Sequence, residues 1–231
     1  MQQKINSRED HRIRSFVRRQ GRLTAAQNFA LEKYLPTFGL LASDGVFDFE
    51  KIYQRKAPTH LEIGFGNGQS VSNMAAAHPE NNYLGVEVHR PGVGNLLQLI
   101  HKQELTNVRV MTDDAFDVLN NNIADNSLAA VYIYFPDPWH KRCHAKRRII
   151  NPVFVEMLAA KMEPNGLLHM ATDWKDYARH MMKVMNGQPQ FKNTAGEAAY
   201  SARPEWRTLT KFEQRGHRLG HDVWDLMFTK I

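Results

Sequence analysis

The sequence predicts an α/β protein whose core is a doubly wound, mostly parallel sheet. From residue 59 to residue 185, short β-branched and apolar runs alternate with stretches of helical periodicity. Such alternation is typical of right-handed strand–helix–strand crossovers, which place helices on both faces of a parallel sheet. Glycine or acidic residues stand at the end of each predicted strand, where sheets of this kind bind ligands. No repeat or linker interrupts the pattern, so one domain is expected.

The strands and helices of this region can be assigned in order along the chain. The predicted strands are 59–66, 82–88, 107–112, 128–135 and 166–173. The predicted helices are 69–79, 92–105, 115–121, 149–162 and 174–185. Each strand is rich in β-branched, aromatic or other large apolar residues, which favour a pleated and buried surface.

The N-terminal part of the chain is predicted to be a basic arm followed by a helix. Thr24 and Gln27 have the spacing of a capping box, in which each side chain accepts a hydrogen bond from the other residue's backbone. Pro36 is predicted to end the helix, because proline lacks a backbone N–H. We therefore divide the chain into an arm and helix, residues 1–36, and a single domain, residues 37–231.

The C-terminal part gives weaker signals. Residues 188–207 show no clear periodicity and are predicted to be irregular. Residues 221–231 contain alternating apolar side chains and are predicted to form a late strand. The expected partner of this strand is the segment 208–213.

The composition excludes several classes of protein. Of the 231 residues 42% are hydrophobic, and the mean hydropathy is −0.51. No apolar stretch approaches the ~20 residues of a membrane span, and the start of the chain does not resemble a secretory signal. The single cysteine, Cys143, permits no intrachain disulfide, and the histidines lack the spacing of metal ligands. A cytoplasmic protein without a metal site is expected.

Positive charge is concentrated in three segments of the sequence. The net charge is +6, but residues 1–22, 141–148 and 203–218 carry +5, +5 and +3, which leaves −7 on the rest. Clustered cations gain free energy when they displace the counterions condensed on phosphates. One such run could be an ordinary solvated face, but three runs on an otherwise acidic chain favour a nucleic acid as partner.

Residues at the first two strand ends suit a nucleoside cofactor. Gly64, Gly66 and Gly68 allow the backbone to approach a ligand closely. Glu87 lies 19 residues after Gly68, where a carboxylate can accept hydrogen bonds from both ribose hydroxyls. The same features occur in nicotinamide sites, so an oxidoreductase is one alternative.

Two details favour S-adenosylmethionine over a nicotinamide dinucleotide. The spacing lacks the third glycine of Gly-x-Gly-x-x-Gly, which lets a helix pack close beneath a pyrophosphate. Glu62 would repel two phosphates, whereas S-adenosylmethionine carries a sulfonium and an ammonium and no phosphate. Asp114 would then accept a hydrogen bond from the adenine amino group, and the backbone of Ala115 would contact the ring.

A single carboxylate, Asp137, lies between two prolines at the end of the fourth strand. Each proline fixes its own φ and biases the residue before it to extended geometry, which holds the carboxylate at a chain reversal. Trp139 could stack on a base or pack against the sheet, and both interpretations stay open. The basic run 141–148 would bind phosphates beside this loop.

Five segments together resemble the bacterial tRNA (guanine-N7-)-methyltransferases. They are the Glu-x-Gly-x-Gly-x-Gly loop, "GVEVHRPGVG", "FPDPWHKRCHAKRR", "HMATDW" and "TKFEQRGHRLGHDVWDL". The resemblance extends from about Arg12 to Phe228. It implies a class I methyltransferase with a Rossmann-like, seven-stranded sheet. It also implies transfer of a methyl group from S-adenosylmethionine to N7 of a guanine in the variable loop of tRNA, at position 46 in tRNA numbering.

The resemblance implies roles for individual residues as well. Asp137 matches the catalytic aspartate. With the glycines above, the implied cofactor-binding residues are Glu62, Gly64, Gly66, Gly68, Glu87, Val88, Asp114, Ala115 and Asp137. The implied substrate-binding residues are Lys141, Asp173, Thr210, Lys211, Phe212 and Glu213. The stretch implied to contact RNA is Cys143, His144, Ala145, Lys146, Arg147 and Arg148.

Some alternatives stay open at the level of sequence. Guanine N7 has an in-plane lone pair and no proton, so it needs no base. A carboxylate can orient guanine through N1–H and N2–H or stabilise positive charge as it develops, and either Asp137 or Asp173 could do each. A non-catalytic RNA-binding protein is a rival, against which the intact acids argue, and methylation of another RNA is a closer one. A monomer with no obligatory protein partner is expected.

Overall fold

The computed structural model of this chain describes residues 14–16, 21–207, 209, 213 and 222–231. The strands are β1 (Gly39–Leu40), β2 (Thr59–Ile63), β3 (Asn82–Val86), β4 (Val108–Met111), β5 (Leu128–Tyr134), β6 (Met162–Thr172), β7 (Phe191–Asn193) and β8 (Trp224–Lys230). The α-helices are α1 (Ala25–Phe38), α2 (Phe49–Tyr53), α3 (Gln69–Ala77), α4 (Arg90–Lys102), α5 (Ala115–Asn121), α6 (Pro152–Lys161) and α7 (Lys175–Asn186). None of these helices is long and apolar enough to cross a membrane.

The strands form one sheet in the order β1-β4-β3-β2-β5-β6-β8-β7. The neighbours from β1 to β6 pair in parallel, and β8 pairs antiparallel with both β6 and β7. The order reverses between β2 and β5, where the chain has crossed from one half of the sheet to the other. This switch point leaves a crevice beyond the carboxyl ends of the strands, which is where such sheets bind ligands. The predicted doubly wound architecture is confirmed.

Alternation along the strands divides the core between the two faces of the sheet. On β5, Val131 and Ile133 pack into one buried cluster with side chains of α5, α6 and α7. Ala130, Tyr132 and Tyr134 of the same strand pack into the other cluster with side chains of α1, α3 and α4. Because both faces are covered, a central strand such as β5 is buried along nearly its whole length, which is why it appears in the sequence as a continuous apolar run.

The predicted start of α1 is confirmed, and its predicted end is wrong. Thr24 N–H donates to Gln27 Oε1 at 2.9 Å, and Gln27 N–H donates to Thr24 Oγ1 at 3.2 Å. The helix then continues through Pro36 to Phe38. Leu35 and Phe38 pack against the buried cluster on that face. This packing holds the last turn in place although proline removes one backbone hydrogen bond.

The edges of the sheet differ from the prediction in two respects. Among the residues that the structure describes, the sheet has eight strands rather than the expected seven, because the two-residue β1 pairs with β4 at one edge. The late strand is confirmed as β8, but its outer partner is β7, within the stretch predicted to be irregular. Three residues are too few to give a periodic signal. Of the expected partner segment, 208–213, most residues lie outside the part that the structure describes; the described neighbours of β8 are β6 and β7.

A buried network of polar side chains connects β5, β6 and β8. Tyr134 Oη lies 3.0 Å from His169 Nδ1, and His169 Nε2 lies 2.7 Å from Asp225 Oδ1. Burial lowers the pKa of His169, so the ring is neutral at pH 7 and donates to Asp225 from Nε2. The guanidinium of Arg207 contacts both Asp225 oxygens, at 2.7 and 3.0 Å, and both oxygens of Glu213, each at 2.7 Å.

Arg207 is 1% exposed, as is Glu213, and Asp225 is 2% exposed. Burial alone would lower the pKa of Arg207, but the carboxylates of Glu213 and Asp225 outweigh that effect and raise it. The guanidinium also lies over the rings of Tyr134 and Phe135, at 6.0 and 5.7 Å from their centroids. The network therefore ties Arg207 and Glu213 to β8 and to the carboxyl end of β5.

Replacing Arg207 with methionine should strongly destabilise the fold. The change leaves Asp225 and Glu213 buried without their cation, and breaking such a pair costs roughly 3–5 kcal/mol. Urea unfolding of Arg207→Met against wild type measures this loss. Arg179→Met is the matched control, because Arg179 is exposed on α7 and its loss should change the free energy of unfolding by under about 0.5 kcal/mol. Equal stability of the two variants would contradict the assignment.

Candidate active site at the switch point

The turn after β2 approaches the crevice with its backbone exposed. Gly64 and Gly66 have φ of 71° and 59°, a conformation that L side chains rarely adopt. A Cβ at either position would meet nothing within 4 Å, so their glycines are required by backbone conformation and leave room for a ligand. Gly68, with φ of 77°, differs, because a Cβ there would lie 2.5 Å from the Cβ of Leu96 on α4. Gly68 therefore serves helix packing.

Glu62 is a buried acid at the end of β2. Its side chain is 4% exposed, and its Oε2 accepts no hydrogen bond from any residue that the structure describes. Burial raises the pKa of Glu62 to about 8; the Ser70 hydroxyl opposes this rise, and the carboxylate of Glu87 adds to it. A buried carboxyl group with a free oxygen is costly unless a donor or a cation binds to it. The site therefore suits a cationic group.

Glu87 follows β3 and holds the glycine turn in place. One carboxylate oxygen accepts the N–H of Gly66 and the other accepts the N–H of His89, both at 2.9 Å. Gly92 on α4 packs against the same turn, since a Cβ there would lie 2.0 Å from the carbonyl oxygen of Gly66. Each oxygen of Glu87 still has acceptor capacity for a ligand hydroxyl, because a carboxylate offers about four lone-pair sites.

Asp114 lies at the end of β4 and caps α5. Its Oδ1 accepts the N–H of Phe116 at 3.0 Å, and its own N–H donates to Asp113 Oδ1 at 2.8 Å. These bonds fix the carboxylate at the side of the crevice. The neighbouring Ala115 begins α5 and also lines the crevice.

These strand ends enclose one cleft of about 280 Å³. Of the implied cofactor-binding residues, those that line it are Gly64, Glu87, Val88, Asp114, Ala115 and Asp137. Glu62 lies buried at the end of β2, next to the lining residue Ile63. The structure therefore brings together residues that are up to 75 positions apart in the sequence. Ser15 and Phe16 of the N-terminal arm line the same cleft, which no motif in the sequence indicated.

The loop with Asp137 has a strained backbone on both sides. Phe135 and Trp139 have φ of 50° and 48°, which is rare for bulky residues. They flank Pro136, Asp137 and Pro138, so the carboxylate lies between two prolines and two residues in the left-handed region. The N–H of Phe135 donates to Ala171 O at 2.8 Å, which ties the start of the loop to β6. Strain of this kind persists where the surroundings hold it, and it often marks a functional site.

Arg148 holds the far end of this loop. It is 7% exposed, its Nε donates to Pro138 O at 2.9 Å, and one terminal nitrogen donates to Asp176 Oδ2 at 2.6 Å. Its guanidinium also lies 4.9 Å from the centroid of the Tyr177 ring. Arg148 thus supports the Asp137 loop, and its expected contact with RNA stays a prediction. The sequence could not separate this arginine from its exposed neighbours, because its partners are distant along the chain.

The rest of the basic run forms a short 3-10 helix, Arg142–Arg147. Lys141, Arg142 and Lys146 are exposed, as are Cys143 and His144. Ala145 and Arg147 are half-buried, and the Arg147 guanidinium lies 4.8 Å from the centroid of the Trp139 ring. The exposed cations form a positive rim beside the loop that holds Asp137.

The implied substrate-binding residues fall into three groups. Lys141 is exposed after the Asp137 loop, and Asp173 is half-buried at the end of β6. Thr210, Lys211 and Phe212 lie outside the described residues. Glu213 is buried, and both its oxygens are bound by Arg207. Glu213 is thus attached to Arg207, and its direct contact with substrate stays a prediction.

No cluster of three or more histidine, cysteine or carboxylate side chains suited to a metal is found among the described residues. The imidazole of His169 is bound on both nitrogens within the buried network. The His217 and His221 pair considered in the sequence lies outside the part that the structure describes.

Comparison with solved structures places the fold. The chain resembles the 16S rRNA methyltransferase KamB with a TM-score of 0.59 at 16% identity, covering 80% of this chain and 94% of that one. It resembles the aminoglycoside resistance methyltransferase NpmB1 with a TM-score of 0.55 at 14% identity, covering 83% and 94%. Residues 56–226 match the family model described as "Putative methyltransferase". The fold is thus that of a class I methyltransferase.

Relatives of higher identity narrow this class. A tRNA (guanine-N(7)-)-methyltransferase of Hydrogenovibrio crunogenus is 57% identical, covering 95% of this chain and 92% of the relative. Those of Alcanivorax borkumensis and Escherichia coli O6:K15:H31 are 54% and 53% identical, covering 95% and 98% of this chain and 92% and 95% of each relative. The chain belongs to the tRNA (guanine-N(7)-)-methyltransferase family, as the resemblance in its motifs implied.

Glu62 should make stability depend on pH in the protein without ligand. Its pKa rises from 4.5 to about 8 on folding, so the folded state binds more protons than the unfolded state between those values. Stability should therefore fall as pH rises from 4.5 to about 8, by roughly 4–5 kcal/mol at most, and stay level above that range. The measurement is urea unfolding of wild type and Glu62→Gln at several pH values.

Glutamine has the shape of the protonated acid and does not titrate. The variant should match wild type at the acid end of the series and exceed it at the alkaline end, while other titrating groups cancel in the comparison. A difference in stability that stays constant with pH would show that Glu62 titrates at its ordinary value.

Proposed function

We propose that this chain transfers a methyl group from S-adenosylmethionine to N7 of a guanine in tRNA. We further propose that the guanine lies in the variable loop, at position 46 in tRNA numbering. The observation that carries this proposal is the cleft at the switch point, where acidic strand ends meet the Asp137 loop and its positive rim. Membership of the methyltransferase family supports it, because the relatives carry this activity in their names.

The acidic cleft fits the methyl donor. S-adenosylmethionine supplies an electrophilic methyl group on a sulfonium and also carries an ammonium. The free Oε2 of Glu62 would accept from the ammonium, and the cation would lower the raised pKa of this acid. Glu87 would bind the ribose hydroxyls, and Asp114 the adenine amino group. The open space at Gly64 and Gly66 would accommodate the ligand against bare backbone.

The reaction at guanine N7 requires positioning more than proton transfer. The N7 lone pair attacks the methyl carbon while the sulfonium keeps the electron pair of the breaking bond, so no proton moves and the base becomes positive. Asp137, held between two prolines and two strained residues, would contribute orientation and a fixed negative charge. Asp173 at the end of β6 would supply the other carboxylate. One of the two would bind the N1–H and N2–H edge, and the other would face the developing charge.

The exposed cations beside the loop would hold the RNA. The rim exposes three cations, which are Lys141, Arg142 and Lys146. Because they are exposed, phosphates would reach them without a rearrangement of the protein. The basic arm and helix, residues 1–36, would make further contacts with the RNA, in addition to those made by the domain, residues 37–231. Ser15 and Phe16 of that arm lie at the cleft, which brings its charge close to the site. We expect the protein to act as a cytoplasmic monomer without a metal.

Replacing Asp137 with asparagine should lower kcat/KM about 10²- to 10³-fold, because the amide keeps the shape and loses the charge. The assay is transfer of labelled methyl from S-adenosylmethionine to unmodified tRNA transcripts, followed by borohydride reduction and aniline cleavage to locate 7-methylguanine. Scission is expected in the variable loop for wild type and for the control Asp125→Asn, whose carboxylate is exposed and pairs with Lys161. Full activity of Asp137→Asn, or scission elsewhere in the tRNA, would contradict the proposal.

Charge reversal on the rim should weaken RNA binding without affecting the cofactor. The triple variant Lys141→Glu, Arg142→Glu and Lys146→Glu should bind all tRNAs more weakly, and the salt dependence of log Kd should fall by about one for each phosphate that the variant no longer binds. Filter binding over a salt series measures both quantities. The control reverses three exposed lysines on other surfaces, which are Lys56, Lys183 and Lys192. Unchanged tRNA affinity in the rim variant would rule out this rim as the RNA-binding surface.

A further inference from the structure

Trp174 is an exposed tryptophan at the carboxyl edge of the sheet. It follows Asp173 directly after β6, and 42% of its side chain is accessible. Its backbone is fixed, because its N–H donates to Thr172 Oγ1 at 3.2 Å and its carbonyl accepts from Ala178 in the first turn of α7. The fixed backbone therefore presents a solvent-accessible aromatic ring at the edge of the sheet where the Asp137 loop lies.

Trp139, for which the sequence left both stacking and packing open, makes several contacts within the protein. Its indole Nε1 donates to Ser15 O at 3.0 Å, and its ring contacts the Arg147 guanidinium at 4.8 Å and the His144 ring at 5.9 Å. These contacts attach the N-terminal arm to the basic run. Trp174 is an accessible tryptophan whose ring contacts His140 at the end of the Asp137 loop.

Trp174 packs against one other exposed ring. The centroids of the Trp174 and His140 rings are 4.2 Å apart, and the planes are inclined at 72°. His140 is exposed and comes directly after Trp139 at the end of the Asp137 loop. We call Trp174 and His140 together the aromatic ledge.

Arg148 connects the two backbone segments that carry the rings of this ledge. Its Nε binds the carbonyl of Pro138, two residues before His140, and its terminal nitrogen binds the carboxylate of Asp176, two residues after Trp174. One buried guanidinium therefore fixes the two backbone segments that carry the rings. A surface held in this way loses little entropy when a ligand binds, which favours a flat, rigid partner.

The ledge is placed beside the reacting groups. β5 and β6 are neighbouring parallel strands, so the Asp137 loop and the Asp173–Trp174 pair lie at the same edge of the sheet. Lys141, the first cation of the positive rim, directly follows His140. An aromatic surface next to exposed cations matches a nucleic acid, which presents a base face and a phosphate together.

We propose that the aromatic ledge of Trp174 and His140 stacks an unpaired base of the RNA substrate, next to the guanine that is methylated. This inference rests on the proposed tRNA substrate and adds a binding site to it. The stacked base fixes the path of the strand across the rim and leaves Asp137 and Asp173 free for the target guanine. Double-stranded RNA offers no open base face, so the ledge selects a loop or a splayed strand.

The test replaces Trp174 with leucine, which keeps an apolar side chain and removes the aromatic face. Trp174→Leu should raise the Kd and KM for tRNA about 5- to 160-fold, the usual range for removal of one base stack, and leave the Kd for S-adenosylmethionine unchanged. Trp174→Phe should restore most of the affinity. The control is Val46→Ala, which also shortens an exposed apolar side chain; Val46 is 63% exposed before α2, where no RNA contact is assigned, so this variant should bind tRNA as wild type does.

A second readout is the tryptophan fluorescence, which a stacked base quenches. Binding of tRNA should quench the wild-type emission, and Trp174→Phe should lose that component while it still binds tRNA. Undiminished quenching in Trp174→Phe, or an unchanged Kd and KM in Trp174→Leu, would contradict the proposal that a base stacks on the aromatic ledge. If wild type itself neither binds nor methylates tRNA, the proposed function fails instead, so the two failures are distinguishable.

Discussion

The contact on which the site depends most is the buried ion pair of Arg207 with Asp225 and Glu213. Burying three charges costs free energy that mutual attraction repays only when the geometry is good, and here the guanidinium meets both oxygens of each carboxylate. An apolar cluster could fill the same space without choosing a register. The ion pair fixes instead which residue of the C-terminal segment meets β8 and places the guanidinium over Phe135, where the strained loop begins.

The fold also separates two kinds of charge that would otherwise oppose each other. The acids lie inside the cleft, on strand ends whose backbones hold them through hydrogen bonds, and the exposed cations lie on the rim. A cationic methyl donor can therefore bind at the acids in the cleft while a polyanionic substrate binds at the cations on the rim. The burial that raises the pKa of Glu62 makes the cleft sensitive to a positive ligand, since a cation offsets the cost of ionising the acid.

Most of the fold and much of the cleft could be predicted from sequence, because their signals are local. Strand ends such as Glu62 and Asp114 belong to short motifs, and parallel pairing then brings them together without further information. Arg148 and Glu213 were assigned to ligands for the same reason, as members of motifs, although their partners Asp176 and Arg207 lie outside those motifs. The sequence also could not show which of Trp139 and Trp174 is more accessible to a base. The exposure of Trp139 depends on the N-terminal arm, and that of Trp174 depends on α7. β7 was missed because three residues leave no period.

The chemistry explains why so much structure supports one exposed carboxylate. A nucleophile with a free lone pair needs no base, so an enzyme gains mainly by fixing the distance and angle of attack and by placing charge in advance. Both are properties of a rigid loop. Four features restrict the backbone around Asp137. They are the two prolines, the two residues in the left-handed region, the hydrogen bond from Phe135 to β6 and the hydrogen bond from Arg148 to Pro138. The strain at Phe135 and Trp139 is thus the cost of holding a carboxylate at the mouth of a cleft, and the buried arginines on either side make that cost tolerable.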